Sequence, residues 1–499
     1  MRRRTFVQAG AAALASTSLP FSTSAFAAAN PVGTDVPAVT GDGKAIVLRR
    51  AEVGELRAAL SGPLLLKGDE GYDQARRVWN AAIDRKPALI ARCKSAKDVI
   101  KAVQFAKEHH LLVAVRCGGH SSSGKSVCDD GLMIDLSLMR GVVVDPKALT
   151  AKVEGGALLG DLDKASQAHG LATTAGTVSH TGIGGLTLGG GMGYLARKYG
   201  LSIDNLLAAD VVTAQGKLLH ASATDNPDLF WAIRGGGGNF GVVTSFEFHL
   251  HPFGTQIYTS ELIYPLPLAR KMLDFLGEYA PTLPDDANIT PVLLATPDGN
   301  RILVLNGHHT TSAAGVETMF APLRKLTLPV NDPKVTTTSY LKMQTRLDQA
   351  TAQRVEGYLK SGLVQKLDPA FNEAMVAAIA DETTPASMPI TLPQVGGAIA
   401  RVDPRATAFA HRDAGYAVLF NLHWTDPAQS DRIVAWARAT WKRIEPSMRG
   451  VYVNFTSTED AELRLRETYG VNYERLVELK KKYDPTNLFR LNVNLAAKA

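Results

Sequence analysis

A glycine turn at the end of a predicted strand most constrains how this chain folds. Residues 111–115 form an apolar run that is typical of a buried strand. Gly118 and Gly119 follow, and because glycine has no Cβ, the backbone there can come very close to a ligand. Such a turn, with serines and backbone N–H groups behind it, can hold a phosphate or pyrophosphate. A plain phosphate loop does not need His120, so this histidine indicates further chemistry at the turn.

The composition is that of a large globular chain and excludes several function classes. The chain has 499 residues, of which 45% are hydrophobic, so it can form about three domain-sized units. The net charge is +6, and no Lys/Arg run with interleaved aromatic residues suggests a nucleic-acid partner. No stretch approaches the roughly 18–20 apolar residues of a membrane span. The three cysteines include no C-x-x-C pair, and we expect neither a disulfide nor a metal site.

The N-terminus has the features of a signal peptide over residues 1–27. Three arginines at positions 2–4 precede a stretch of small apolar residues, and residues 25–27 offer an A-x-A cleavage site. The paired arginines are typical of the twin-arginine route, which exports folded proteins. That route suits a protein that must complete its fold in the cytoplasm before export. We therefore expect a periplasmic or secreted protein; the alternative is a disordered basic N-terminus.

Hydrophobic periodicity predicts an α+β chain with two structural domains. Residues 47–254 alternate helices and strands, and residues 255–445 carry longer alternating runs that predict an antiparallel sheet backed by helices. Residues 446–499 return to the first domain, so we expect the site in the cleft between domains. The predicted helices are 96–109, 158–169, 268–279, 431–444 and 469–482. The predicted strands are 111–115, 132–136, 142–144, 151–153, 210–214, 242–250, 257–264, 302–308, 397–402 and 416–424.

Four blocks of sequence resemble the flavoprotein oxidases of the vanillyl-alcohol oxidase superfamily, most closely the berberine-bridge-enzyme-like branch. They read RCGGH at 116–120, GTVSHTGIGG at 176–185, WAIRGGGGNFG at 231–241 and YDPTNLFR at 483–490. Their order and spacing match the family over roughly residues 85–255 and 445–495. The resemblance implies a PCMH-type FAD-binding domain of two α/β subdomains, discontinuous in sequence, and a separate substrate domain.

The resemblance also implies FAD as the cofactor. In the family, the histidine after the double glycine is bonded to the 8α-methyl carbon of the flavin, which implies this role for His120; the alternative is a histidine that only hydrogen-bonds within its loop. Many members carry a second, cysteinyl tether, but Val178 stands at that position here, so we expect a single linkage. The other residues expected around the cofactor are Arg116, Gly118, Gly119, Ser121, Ser122, Gly176, Ser179, Gly182, Gly185, Gly190, Asn205, Asp210, Gly238, Val242, Asn492 and Asn494.

The catalytic base that is usual in the family is missing from this chain. The family segment Tyr-x-Asn-Tyr/His ends here in Phe455, which cannot accept a proton. Its companion acidic or polar position is Leu419, and the tyrosine often found after the triple glycine is Met192. Without a base, the substrate itself must be acidic enough to lose its proton. The remaining candidates, each of which could instead be structural, are Tyr452, His423 and His411.

The resemblance implies an exported FAD-dependent oxidoreductase. Its partners would be a small-molecule substrate, such as an alcohol, sugar or secondary metabolite, and dioxygen, which would be reduced to hydrogen peroxide. Three alternatives remain: a dehydrogenase of the same fold that uses a quinone or protein acceptor, a nicotinamide-dependent reductase, and a non-catalytic protein that retains flavin. The sequence sets no oligomeric state.

Overall fold

The computed structural model describes residues 33–348, 355–455 and 464–496, so the predicted signal peptide lies outside the described residues. Residues 33–254 form the first unit. Its elements are β1 (Val36–Val39), β2 (Ala45–Leu48), α1 (Arg50–Ala59), β3 (Leu64–Leu66), α2 (Tyr72–Arg76), β4 (Leu89–Arg92), α3 (Ala96–Glu108), β5 (Val113–Arg116), β6 (Leu132–Asp135), β7 (Val142–Asp145), β8 (Thr150–Glu154), α4 (Leu159–Gln167), β9 (Leu171–Ala172), α5 (Ile183–Leu188), α6 (Ala196–Tyr199), β10 (Leu206–Val212), β11 (Leu218–Ser222), α7 (Pro227–Ile233), β12 (Val242–His249) and β13 (His251–Pro252).

Two large sheets share helix α3 in this unit, and β1-β2 and β9-β13 form two further two-stranded sheets. One sheet has the order β3-β4-β6-β5, with β4, β6 and β5 parallel, and the other has the antiparallel order β11-β10-β12-β8-β7. Ser95 caps α3, because its hydroxyl accepts the N–H of Asp98. The buried face of α3 repeats at helical spacing and joins one apolar cluster with Val212 and Val242 of the second sheet.

The second unit is a seven-stranded antiparallel sheet covered by helices on one face. Its strand order is β17-β14-β16-β15-β19-β20-β18. The elements are β14 (Gln256–Pro265), α8 (Leu266–Tyr279), β15 (Ala287–Ala295), β16 (Arg301–His309), α9 (Ala313–Leu326), β17 (Thr336–Ser339), α10 (Tyr340–Thr345), β18 (Glu356–Val364), α11 (Pro369–Ala380), β19 (Ile390–Thr391), β20 (Tyr416–Trp424) and α12 (Ser430–Ile444). The predicted α+β class and helix-backed antiparallel sheet are confirmed.

The two faces of this sheet differ in character because side chains alternate along each strand. On β15, Ile289 and Leu293 are fully buried in the cluster that the helices complete. Asn288, Thr290 and Val292 point to the opposite face and are only half-buried. The sheet therefore presents a polar face toward the first unit.

The C-terminal residues return to the first unit, so this unit is discontinuous in sequence. Two helices, α13 (Leu465–Tyr469) and α14 (Tyr473–Tyr483), pack in the same apolar cluster as Phe246 and Phe248 of β12. Leu495 completes that cluster. Residues 489–493 then run beside the loops of the first unit.

Buried Lys480 fixes this C-terminal segment. Its ammonium group donates to the carboxylate of Asp484 at 2.7 Å and to the carbonyls of Asn239 and Phe489 at 3.0 Å. Asp484 in turn accepts the N–H groups of Leu488 and Phe489, each at 2.8 Å. The Tyr-Asp-Pro block of the sequence is therefore a structural clamp that ends α14 and turns the chain toward the first unit.

Three parts of the sequence-based prediction differ from the structure. Residues 397–402 do not form a strand: Gly397–Arg401 is a 3-10 turn, because Gly396 and Gly397 have positive φ angles of 85° and 58°. The helix predicted at 469–482 is interrupted at Gly470, whose φ is 49°. Strand β1 lies ahead of the predicted domain start at residue 47 and is tied to the unit by a hydrogen bond from the N–H of Val39 to the carbonyl of Asp130.

Replacing Asp484 by alanine should strongly destabilise the protein. The change leaves the Lys480 ammonium buried without a counter-charge, which costs about 3–5 kcal/mol. Guanidinium unfolding followed by circular dichroism should show a lower midpoint. The exposed neighbour Lys481 supplies the control, since Lys481→Ala should change stability by about 0.5 kcal/mol or less. Equal midpoints for the two variants would contradict the clamp.

Candidate active site

A cavity of about 710 Å³ lies between the two units, within the size range of small-molecule and cofactor sites. The first unit contributes the loop after β5 and the loops around residues 176–193. The second unit contributes the polar face of its sheet, and the C-terminal segment contributes residues 489–493. The predicted cleft between domains is thus present.

Two glycine loops of the first unit form one wall. Gly118 and Gly182 touch so closely that a Cβ on Gly118 would lie 2.3 Å from the backbone nitrogen of Gly182. Gly185 differs, because nothing lies within 4 Å of the place where its Cβ would be, and it lines the cavity. A ligand can therefore approach the backbone of Gly185 as closely as glycine permits.

The charges of the cavity wall favour an anionic group. Within the described part of the wall there is no carboxylate, whereas two cations and four serines line it: Lys125, Arg346, Ser121, Ser122, Ser123 and Ser126. Lys125 also donates to the carbonyl of Asn492 at 2.5 Å and so joins this loop to the C-terminal segment. Backbone N–H groups, hydroxyls and a cation fit the pyrophosphate of FAD.

His120 stands in this wall as a neutral imidazole. Its Nε2 lies 2.7 Å from Nδ1 of His180, and its ring stacks on Trp79 with centroids 5.5 Å apart. Burial, together with the nearby His180 and His423, lowers the pKa of His120 to about 3. One ring nitrogen is thus engaged by His180, and no hydrogen bond to Nδ1 is formed by the residues that the structure describes.

The loop that carries His180 is held by a residue of the second unit. Asp348, which follows α10, accepts the N–H of Ser179 at 2.9 Å, and its other oxygen accepts the Ser179 hydroxyl. Burial lowers the pKa of His180, and the charge of Asp348 opposes that effect. Ser179 was expected near the cofactor; the structure instead gives it this contact between the units.

Most of the residues expected around the cofactor do line the cavity. They are Gly118, Gly119, His120, Ser121, Ser122, Gly176, Gly182, Gly185, Gly238, Val242 and Asn492. Arg116 does not, because it turns to the buried carboxylate of Asp135 at 3.2 Å. Gly190 lies behind the wall, where a Cβ would meet the ring of Tyr452 at 3.3 Å.

Three further expected residues have structural roles away from the cavity wall. Asn205 donates to the carbonyls of Tyr199 and Leu201, each at 2.9 Å, and so closes the loop before β10. Asp210 bonds to His220 of the neighbouring strand at 2.9 Å. The side chain of Asn494 accepts the N–H of Ala496 at 3.1 Å.

Two of the three candidate bases line the cavity, and His411 does not. The Nε2 of His411 lies 2.8 Å from the carbonyl of Glu467 and 3.1 Å from that of Thr468, so it binds α13. Its ring is directed to the C-terminal helices rather than to the cavity.

Tyr452 is in the wall, but its oxygen is fully engaged by the protein. It accepts the N–H groups of Gly191 at 2.9 Å and Met192 at 3.1 Å, and the side-chain amide of Asn454 at 2.9 Å. Burial raises the pKa of Tyr452, so it is a neutral phenol at neutral pH. This tyrosine therefore holds the triple-glycine loop in place.

His423 is the candidate whose ring nitrogen remains available. It lies on β20 with its ring edge against Trp79, at a centroid distance of 4.7 Å. Its Nε2 is buried and has no hydrogen-bond partner among the described residues. Burial lowers the pKa of His423 to about 4, so the imidazole is neutral and able to accept a proton at neutral pH.

Two stretches of the chain match known domain families. Residues 87–222 match the FAD binding domain, and residues 451–495 match the domain described as berberine and berberine like. An FAD-linked oxidoreductase from Dictyostelium discoideum is 33% identical over 448 residues, which are 89% of this chain and 96% of the relative. The chain belongs to the berberine-bridge-enzyme-like family of FAD-linked oxidoreductases.

Other members resemble this FAD-linked oxidoreductase over both units. The (R)-6-hydroxynicotine oxidase of Paenarthrobacter nicotinovorans is 32% identical over 463 residues, 88% of this chain and 97% of the relative. The solved structure of chitooligosaccharide oxidase superposes with a TM-score of 0.81 at 26% identity, covering 90% of this chain and 100% of that one. These similarities confirm an FAD-dependent enzyme. They extend over both units, between which the cavity lies.

Several residues that line the cavity or contact its wall were missed by sequence reasoning. Trp79 and His180 meet His120 only through tertiary structure, so no local pattern signals their role. Asn306 lies on the polar face of β16, and alternation along the predicted strand 302–308 could have indicated it. Arg346 lies just after α10, outside every motif of the family blocks.

Proposed function

We propose that this oxidoreductase removes a hydride from a C–H bond of a small polar alcohol, with FAD attached to His120 by one covalent bond and dioxygen as electron acceptor. The observation that carries the proposal is His120 itself. It is a neutral imidazole in the cavity wall, with one nitrogen held by His180 and the other turned to no protein group that the structure describes. When bound, FAD supplies the hydride acceptor at flavin N5.

The attaching atom would be Nδ1 of His120. In the tautomer whose Nε2–H donates to Nδ1 of His180 over 2.7 Å, the ring of His120 is fixed and its Nδ1 carries the lone pair that would bond to the flavin methyl carbon. His180 acts here as a positioning residue, and Asp348 holds its loop. The two glycine loops and Lys125 would hold the pyrophosphate, because they supply donors in a wall without carboxylates.

A second, cysteinyl tether is not expected. Val178 lines the cavity at the position of the family cysteine. Cys117 also lines the cavity, but burial raises the pKa of its thiol to about 11, and its Sγ lies 3.5 Å from the carbonyl of Ala157. Cys93 and Cys128 are buried outside the wall. None of these thiols is poised as a thiolate at neutral pH.

His423 would take the substrate hydroxyl proton as the hydride leaves. It combines a neutral ring, a free Nε2 and a place in the cavity wall, which Phe455 and Leu419 cannot supply. Tyr452 would hold the triple-glycine loop in place rather than accept a proton from the substrate, because its oxygen already accepts three N–H groups.

Dioxygen as acceptor is supported by relatives whose names call them oxidases, including chitooligosaccharide oxidase. Oxygen-electrode traces on a panel of sugars and aromatic alcohols test it, with anaerobic bleaching of the flavin as the separate test of substrate oxidation. Bleaching without oxygen consumption would identify a dehydrogenase instead.

Covalent attachment should fail without His120. After acid precipitation, the wild-type polypeptide should keep its flavin, and mass spectrometry should place one FAD on the peptide with His120 and none on Cys117. His120→Ala should release its flavin, and His180→Ala should retain several-fold less of it, because the ring is no longer oriented. The exposed His169 gives the control, since His169→Ala should match the wild type. Acid-stable flavin in His120→Ala would refute the attachment.

The pH dependence of turnover should identify the base. With His423 neutral above a pKa of about 4, kcat/KM should be flat from about pH 5 to pH 9 and fall below that range. His423→Gln should lower kcat about 10²–10⁴-fold. Tyr452 as the base would instead give a rate that rises with pH into the alkaline range, because its pKa is raised. If the rate rises in this way and the rise is lost in Tyr452→Phe, His423 is not the catalytic base.

Export by the twin-arginine route is part of the proposal and rests on residues 1–27. Fractionation of cells that express the full chain should find the flavin-loaded enzyme in the periplasm. Changing Arg3 and Arg4 to lysine should trap it in the cytoplasm with flavin still attached, because attachment precedes export. Unchanged periplasmic enzyme in that variant would contradict the route.

A further inference from the structure

The sheet face of the cavity presents polar side chains that the protein itself leaves unsatisfied. Asn306 of β16 and Asn421 of β20 both line the cavity and are half-buried. Neither side-chain amide has a hydrogen-bond partner among the residues that the structure describes, whereas the neighbouring Asn288 accepts the hydroxyl of Thr290 at 3.0 Å. Since buried and half-buried polar groups are normally paired, free amides on a cavity wall are suited to bind a ligand.

Arg346 adds a positive charge to the same cavity. Its Nε donates to the hydroxyl of Tyr194 at 3.1 Å, and its guanidinium lies 5.2 Å from the centroid of that ring. Tyr194 thus holds the guanidinium from one side. No carboxylate of the described residues pairs with Arg346, so its outer nitrogens remain available for two parallel hydrogen bonds.

No acidic side chain of the described cavity wall balances the positive charge of Arg346. The nearest acid in sequence, Asp348, is turned to the backbone and hydroxyl of Ser179. His308 and His423 face the cavity, but burial lowers the pKa of each to about 4, so they are neutral at neutral pH. A protonated amine would find no counter-ion here, and a carboxylate would find one.

We propose that Arg346 recognises a carboxylate on the substrate, while Asn306, two residues from His308 on the same strand, binds one of its hydroxyl groups. The substrate class is then a hydroxylated carboxylic acid, such as a sugar acid or a ring alcohol that carries a carboxylate. This inference rests on the proposed function of the same cavity and narrows its substrate class.

Binding of matched probes tests the proposal without requiring turnover. The oxidised, flavin-loaded enzyme is titrated calorimetrically with benzoate and with benzamide. The two ligands share one ring, but the first is an anion and the second is neutral. Benzoate should bind at least about tenfold more tightly, and less tightly as ionic strength rises. Arg346→Gln should abolish this preference while its acid-stable flavin content stays unchanged.

Lys342, an exposed cation on α10 outside the cavity wall, supplies the matched control. Lys342→Gln should keep the benzoate preference, and Arg346→Lys should keep part of it, since an ammonium retains the charge but not the paired hydrogen bonds. Equal affinity for the two probes, no binding of benzoate, or a preference that survives Arg346→Gln would each overturn the proposal.

Turnover separates this inference from the proposed function. D-glucuronate and D-glucose form a second matched pair, and the acid should show the lower KM, with the difference lost in Arg346→Gln. A benzoate preference in an enzyme whose flavin no alcohol reduces would leave the carboxylate site intact and reject the oxidase function. Oxidation of neutral alcohols without any preference for acids would support the oxidase function and reject the carboxylate site.

Discussion

The contact between two glycine loops is the constraint on which the site depends. Gly118 and Gly182 approach so closely that neither position has room for a side chain. This contact brings together two loops that are distant in sequence, and it places His120 within a hydrogen bond of His180. The orientation of the imidazole therefore follows from backbone packing, and the chemistry proposed for it depends on the absence of two Cβ atoms.

The second unit gives the cavity its chemical character through strand alternation. The sheet that buries Ile289 and Leu293 of β15 against helices also presents Asn306 of β16 and Asn421 of β20 to the cavity. Because every second side chain changes face, one sheet supplies both an apolar core and a polar binding wall. Its loops then add Arg346 at the wall and Asp348 at the contact with the first unit.

The sequence predicts the local features of this protein well and the tertiary ones poorly. Strands such as Tyr416–Trp424 and the loop with Gly118 follow from apolar runs and glycines, which act over a few residues. The partner of His120 could not be found, because the approach of His180 depends on how the loops pack.

Expected cofactor residues that lie outside the cavity wall have a similar explanation. Asp210 occurs in a strand near the family blocks, yet its carboxylate turns to His220 on the neighbouring strand rather than to the cavity. Residues 397–402 have the composition of a strand, but two glycines with positive φ impose a turn. Proximity in sequence cannot distinguish a residue that faces a ligand from one that holds the loop behind it.

The hydrogen bond between Ser179 and Asp348 has a consequence for biosynthesis. Both Asp348 and Lys480 lie far toward the C-terminus, while the loops that they secure lie in the first half of the chain. A ribosome-bound nascent chain cannot complete this pocket until residues 348 and 480 have been translated. A completed pocket thereby requires that both units have been synthesised and have docked on each other.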